Sequence, residues 1–388
     1  MQYSTEKCFC KEAAENGDLE SLKYGYEQGY PWDESTCINA AFNGHLDCLK
    51  YACEHGCHPY GVRLRCPWNY MVCGNASLNG HLNCLRYAHE NGCPWNEFTC
   101  SNAALKGHLE CLRYAHENGC PWDYLTSNYS VSNGHLNCFR YAYENGCPCY
   151  RWICDYAAEH GHLECLKYAR EHGFPWNETN CMNAAENGHL ECLKYAHENG
   201  CAWDEYTCSG AARNGHLDCL KYAHENGCGW DVTVCENAAS NGHFDCLKYA
   251  HEHGCFVSDL TCTYAASYGH LNCLKYAYEN VCHHTIDTDS LNEIICEDAA
   301  RYEHWDCLAY ATSQGASWKK VCFRDAERAL RRWHYLRVII RRILGLRKMK
   351  LKRMVHLISE SWIEYSYAPI KGRPGYERAK RSFCDQQV

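Results

Sequence analysis

The chain is 388 residues long and holds 34 cysteines, 30 tyrosines and 12 tryptophans against only 9 phenylalanines. An average globular domain does not show that bias; one short unit copied many times does. The formal net charge of −9 conceals two electrical halves: residues 1–318 hold 19 Lys+Arg against 41 Asp+Glu, and residues 319–388 hold 19 against 6. The polar, acid-bearing stretch Met1–Glu20 does not read as a secretory signal, and no run approaches the roughly 18 apolar residues of a membrane span. The expectation is therefore a soluble intracellular chain, cytoplasmic or nuclear, whose cysteines stay reduced.

Along the chain, the dipeptide Gly-His marks a repeat at Gly44, Gly80, Gly107, Gly134, Gly161, Gly188, Gly215, Gly242 and Gly269. From Gly80 to Gly269 the step is 27 residues without slippage. Gly17-Asp18 before this series and Glu303-His304 after it bring the count to about eleven units. Two steps are longer: 36 residues from Gly44 to Gly80, with nine added near His58–Cys66, and 34 from Gly269 to Glu303, with seven added near Val281–Asn292. Both additions are expected to project as loops.

The unit Trp95–Trp122 shows the local logic. Asn96 is a good helix N-cap, Glu97–Ala104 forms about two turns, and Gly107 stops them. A second helix follows, with Leu109, Cys111, Leu112, Tyr114 and Ala115 apolar and Glu110, Arg113 and Glu117 on the solvent side. Gly119 ends it, and Cys120-Pro121-Trp122 leads to the next cap at Asp123. Helices this short are marginal alone. Stacking on neighbours must bury both faces of the second helix and build one continuous core.

Beyond the repeats, Arg324–Arg353 carries 12 Lys+Arg. Leu330, Trp333, Leu336, Ile340, Ile343 and Leu344 follow three- and four-residue steps, so a basic amphipathic helix is predicted. The organisation expected is a repeat array over 1–318, a basic helical segment over 319–367, and a poorly ordered polar tail over 368–388.

The run Ala103-Ala104-Leu105-Lys106-Gly107-His108-Leu109-Glu110-Cys111-Leu112-Arg113-Tyr114-Ala115-His116-Glu117-Asn118-Gly119 resembles the ankyrin repeat, and the resemblance covers roughly residues 8–318. It is to a short 27-residue variety, as seen in large DNA viruses of amoebae and in protists. It implies an all-α helix-turn-helix solenoid whose β-hairpin fingers are shortened or absent, because six residues are missing from the usual period. It also implies a non-enzymatic scaffold that binds another protein on its concave face, with no cofactor, and a monomeric chain.

The cysteines fall into three registers: one in the first helices (Cys100 and its equivalents), one in the second helices (Cys111) and one after them (Cys120). Free cysteine packs as a small hydrophobe. Equivalent positions of stacked helices lie roughly 8–10 Å apart, beyond disulfide reach. Recurrent pairs such as His108 and Cys111 offer zinc two ligands at most, where a structural site needs four, so no metal is expected. The Gly-His imidazoles are read as hydrogen-bonded bridges between turns. The tryptophan series Trp32, Trp68, Trp95, Trp122, Trp176, Trp203 and Trp230 is read as core, with nucleobase stacking as the alternative. No nucleophile elbow, phosphate loop or dinucleotide fingerprint occurs, and no catalytic residue is assigned.

What varies between units is the first helix on either side of its cysteine. In ankyrin arrays this is the concave face, and the candidate partner contacts are Asn39, Asn75, Phe98, Asn102, Tyr124, Tyr129, Trp152, Tyr156, Asn183, Tyr206, Asn237 and Tyr264; neutral variation at solvent positions is the alternative. A second candidate surface is the basic patch Arg341, Arg342, Arg347, Lys348, Lys350, Lys352 and Arg353. Residues 324–353 can cap the array, lie on an anionic membrane or bind nucleic acid.

Overall fold

The computed structural model describes residues 2–30, 33–56, 68–281 and 288–314. The added segment 58–66 and everything from 315 onward, including the basic patch and the end of the array, lie outside the described residues. Among the described residues there are 22 α-helices, from Gln2–Asn16 to Trp305–Ser313, and no strand. They alternate as first and second helices of eleven units. The fold is an all-α helix-turn-helix array, and the short links that replace fingers contain no strand among the described residues.

The helices divide into two compact units, one formed by residues 1–207 with 225–228 and the other by 208–224 with the residues from 229 onward. In the first, the first helices Tyr70–Leu78, Glu97–Lys106, Tyr124–Ser132, Ile153–Glu159 and Glu178–Glu186 pack side by side, and each also packs on its own second helix. In the second, Val232–Ser240, Asp259–Ser267 and Thr288–Arg301 do the same.

Small side chains permit this close approach. In Glu97–Lys106, Thr99, Cys100, Ser101, Ala103 and Ala104 are all buried, whereas Leu109–Glu117 buries only Cys111, Leu112 and Ala115. The tightest stacking is therefore between first helices, and the second helix buries one face instead of the expected two. Its outer face carries i,i+3 pairs such as Glu164–Lys167 at 2.8 Å, which are exposed and contribute little.

Local signals set the helix ends. Asn96 is extended (φ −146) and accepts the Phe98 N–H at 3.2 Å; Asp33, Asn69, Asp123, Asn177 and Asp231 cap in the same manner. At the far end Gly107 is left-handed (φ 76) and His108 N donates to the Ala103 carbonyl at 2.8 Å, a six-residue closure that satisfies an orphan carbonyl. The addition near 281–292 is not simply a loop. It lengthens both flanking helices, Leu271–Val281 and Thr288–Arg301, so its described part adds helical turns.

Two lattices tie unit to unit. In the first, Gly-His imidazoles donate from Nε2 to a carbonyl near the end of the preceding first helix: His45 to Glu15 at 3.1 Å, His162 to Ser132 at 3.1 Å and His189 to Glu159 at 3.0 Å. The ring lies where the preceding glycine would carry a Cβ, 2.5 Å from that position at Gly107 and Gly134. Glycine is thus required twice, for its left-handed φ and for the space its hydrogen leaves. Burial pushes His108, His162 and His270 below the ordinary imidazole pKa.

The second lattice is aromatic. His89, His116 and His197, near the ends of second helices, stack on Trp95, Trp122 and Trp203 at 3.7 Å, as His224 does on Trp230 in the other compact unit. His89 and His116 also share hydrogen bonds with Tyr114 and Tyr141 of the next unit at 3.0 and 2.9 Å. Trp95 and Trp122 are half-buried and pack against the core: one indole face lies on imidazole and an edge meets the next tyrosine.

Candidate partner-binding face

The first turns of the first helices present a row of large apolar side chains that stay exposed among the described residues. Residues 71, 98, 125, 152, 179 and 206 occupy one register at 27-residue steps. Met71, Phe98, Trp152 and Tyr206 are 44%, 45%, 44% and 61% exposed, while Leu125 and Thr179 between them are half-buried. At 71, 98, 125, 179 and 206 the residue stands two after the cap, whose side chain accepts its N–H; Trp152 has no such cap. One residue earlier, Tyr70 and Tyr124 are also exposed.

The row is densest around residue 150. There Tyr150 stands in the cap register, and the helix starts only at Ile153, with Trp152 before it making no side-chain cap. Tyr150 lies against Tyr124 with ring centroids 4.3 Å apart, and the Arg151 guanidinium sits 4.1 Å over the Trp152 ring. Three exposed aromatic rings and a cation thus share one patch. Carboxylates of the first turns, Glu97, Glu178 and Glu205, flank the row.

The candidates from sequence separate into two groups. Phe98, Tyr124, Trp152 and Tyr206 lie on this exposed row, and in the second compact unit Tyr264 is exposed as well. Asn39, Asn75, Asn102, Tyr129, Tyr156, Asn183 and Asn237 sit two residues after the cysteine register and are half-buried. Asn102 donates to the Gly74 carbonyl at 3.1 Å and Asn39 to Glu15 at 3.2 Å, so these two serve contacts between units. Tyr70, Met71, Tyr150 and Arg151 were not singled out. For Tyr150 and Arg151 the signal is a break in pattern, Cys147-Pro148-Cys149-Tyr150 standing where other units read as Cys120-Pro121-Trp122-Asp123 does, whereas Tyr70 and Met71 follow the unbroken link Cys66-Pro67-Trp68-Asn69.

Among the described residues the cysteines of all three registers are buried. Burial pushes Cys84 up to about 11 and Cys111 up to about 12, which keeps these second-helix thiols protonated and unreactive. One expectation fails: Cys37 is disulfide-bonded. Among the described residues, no three His, Cys, Asp or Glu side chains converge as a metal site would require, and no helix is long and apolar enough to cross a membrane.

Family comparisons agree with this architecture. Two models of ankyrin repeats match, one over residues 154–197 and the other, a three-copy form, over 208–292. Over residues 154–197 and 208–292 the chain carries ankyrin repeats. The human ASB11 ankyrin repeat domain aligns with 18% identity, 41% of this chain and 85% of that one covered, at a TM-score of 0.37. No curated protein matches. The ankyrin units here differ from one another mainly at the first-helix row and its flanks, while the turns and second helices repeat.

Proposed function

We propose that this chain is a non-enzymatic scaffold that binds another protein along the exposed first-turn row. Ankyrin repeats are in general protein-interaction modules, and as a family they are not catalysts. The observation that carries the finer reading is the register itself. Exposed apolar residues scattered singly need no explanation, but large ones held in line at multiples of 27 residues do. Tryptophan, tyrosine and arginine, gathered here at Tyr124, Tyr150, Arg151 and Trp152, are the side chains that dominate binding energy at interfaces. The flanking carboxylates favour a partner segment that is apolar at its anchors and basic around them.

The test is a triple substitution, Phe98→Ala, Trp152→Ala and Tyr206→Ala, in the full chain, beside a control altered at the second-helix surface, Glu110→Ala with Glu164→Ala. Each anchor is worth about 2 kcal/mol at a buried interface, so the triple variant is expected to lose a captured partner that the control retains. Equal retention by both would place binding elsewhere. The next region to test would then be the basic segment 324–353, as a nucleic-acid or anionic-membrane binder.

A further inference from the structure

The cysteines that meet are not the ones that share a register. A first-helix cysteine and the cysteine 20 residues later come within thiol–thiol hydrogen-bond contact inside a single repeat. This happens at Cys73 and Cys93, Cys100 and Cys120, and Cys181 and Cys201, and in the second compact unit at Cys235 and Cys255. The geometry follows from the fold. The inner cysteine lies in the buried middle of the first helix. The outer one opens the link after the second helix, where its S–H reaches the carbonyl of the first helix's cap residue: Cys93 to Asn69 at 3.3 Å, Cys201 to Asn177 at 3.0 Å and Cys255 to Asp231 at 3.1 Å. Inner thiols are fully buried, while outer thiols keep 3–5% exposure at the edge.

We propose that these pairs are dithiol oxidation sites, at which a small peroxide converts each pair into a disulfide that staples the first helix to the link closing its own repeat. An independent observation points the same way. Cys37, the first-helix cysteine of an earlier repeat, is disulfide-bonded, whereas Cys73, Cys100, Cys181 and Cys235 are free. The sequence also holds a cysteine 20 residues after Cys37.

The chemistry balances with hydrogen peroxide as the oxidant. The outer sulfur, as thiolate, attacks one peroxide oxygen; an S–O bond forms, the O–O bond breaks, and hydroxide leaves and takes up the proton the thiol lost. The inner sulfur then attacks the sulfenic sulfur, forming S–S and breaking S–O, and its proton leaves with that oxygen as water. Two thiols are oxidised by two electrons, and one peroxide is reduced to two waters. Each step uses a group in place. Cys201 lies below the usual thiol pKa because the Cys181 S–H donates to it, and Cys255 likewise because of Cys235. The inner thiols are correspondingly raised. The outer sulfur, at the edge of the repeat, is the one that a peroxide reaches first.

Two repeats supply natural controls. Cys147 has Ser127 in place of the inner cysteine, and Cys154 has Phe174 in place of the outer one, with its sulfur 3.9 Å from the Phe174 carbonyl. The experiment takes the full chain, fully reduced and then freed of reductant under native conditions, and treats it with hydrogen peroxide. Remaining thiols are blocked, and the protein is digested without reduction for mass spectrometry. The expected result is cross-linked peptides joining Cys73 to Cys93, Cys100 to Cys120, Cys181 to Cys201 and Cys235 to Cys255. Each pair should lose both alkylatable thiols and regain them with dithiothreitol, while Cys154 joins no partner. Cys201→Ser should abolish the Cys181 cross-link and leave Cys235–Cys255 intact. Native protein whose paired thiols stay alkylatable, or whose cross-links ignore the 20-residue spacing, would overturn the proposal. The wild-type map decides this even if the variant fails to fold.

Discussion

The repeat closed by Trp122 and the one that follows it share their Gly-His turn and the Glu-Asn-Gly-Cys-Pro end of the second helix, yet the residues that make contacts around the link change together. In the first, Asp123 caps the next helix, and His116 stacks on Trp122 and bonds Tyr141. In the second, Cys149 holds the tryptophan register, Tyr143 the histidine register and Tyr150 the cap register, and one repeat further on Phe174 holds the outer-cysteine register. The stack is replaced by a looser cluster in which Tyr143 meets Tyr168 at 6.2 Å and Phe174 at 5.5 Å. The helix loses its side-chain cap and exposes Tyr150, Arg151 and Trp152. Natural chains break local rules of this kind where something other than stability is selected, and here the broken rules coincide with the densest part of the proposed binding row.

If the irregular repeat is altered only in its aromatic lattice, its Gly-His lock should be as strong as any other, and the largest effect tests this. Gly134→Ala places a Cβ 2.5 Å from the His162 ring. It should cost about 1–2 kcal/mol for the left-handed backbone and a further 1–3 kcal/mol or so for overpacking, matching Gly107→Ala. Gly146→Ala has a similar φ of 82 but nothing within 4 Å, so only the backbone cost of about 1–2 kcal/mol applies. Urea unfolding of the three variants measures the gap; equal losses at Gly134 and Gly146 would mean the imidazole moves aside freely.

The same lock should respond to acid in both kinds of repeat. His108 and His162 are held below the ordinary imidazole pKa, chiefly by burial, and in the second compact unit His270 is too. The unfolded chain therefore binds protons more readily than the folded one, and stability rises with pH across that range. It should be fully present above the unfolded imidazole value of about 6.5 and be lost as pH falls through the lower folded values. Urea midpoints at decreasing pH should drop first in that window, and a midpoint that rises on acidification would contradict the burial of these rings.

A smaller effect bears on the cap. Tyr150→Asp restores the residue type found at Asp123 and should stabilise the chain by about 1 kcal/mol, while weakening any partner that uses the patch. A gain in stability with unchanged binding would show that Tyr150 is not a contact.

The sequence made the array legible because its signals are local and repeated. Asn96 and Asp123 as caps, Gly107 and Gly119 as stops, and the Gly-His bridge were readable from spacing. What escaped was contact between different registers. His116 with Trp122 and Tyr141, or Cys181 with Cys201, lie at separations that carry no helical periodicity. They emerge only when a link folds back across its own repeat. The binding row was half legible for a related reason. Variability marked both the exposed Phe98 and Trp152 and the half-buried Asn102, and only packing tells these apart.

The smallest prediction concerns the layer beneath the row. One register of the first helices reads Thr36, Val72, Thr99, Thr126, Ile153, Asn180, Thr207 and Val234, all buried. Among the described residues, the Oγ1 atoms of Thr36, Thr99 and Thr126 have no hydrogen-bond partner. Threonine here fills the volume of valine while carrying a hydroxyl that the packing leaves unsatisfied, and a buried unpaired hydroxyl costs about 1 kcal/mol or more. The irregular repeat has already made the exchange, with Ile153 in this position. Thr99→Val should therefore raise stability by up to about 1 kcal/mol, and Val72→Thr should lower it by a similar amount, both read as shifts in urea midpoint. Destabilisation by Thr99→Val would reveal a partner for the hydroxyl and return that register to the contacts that hold units together.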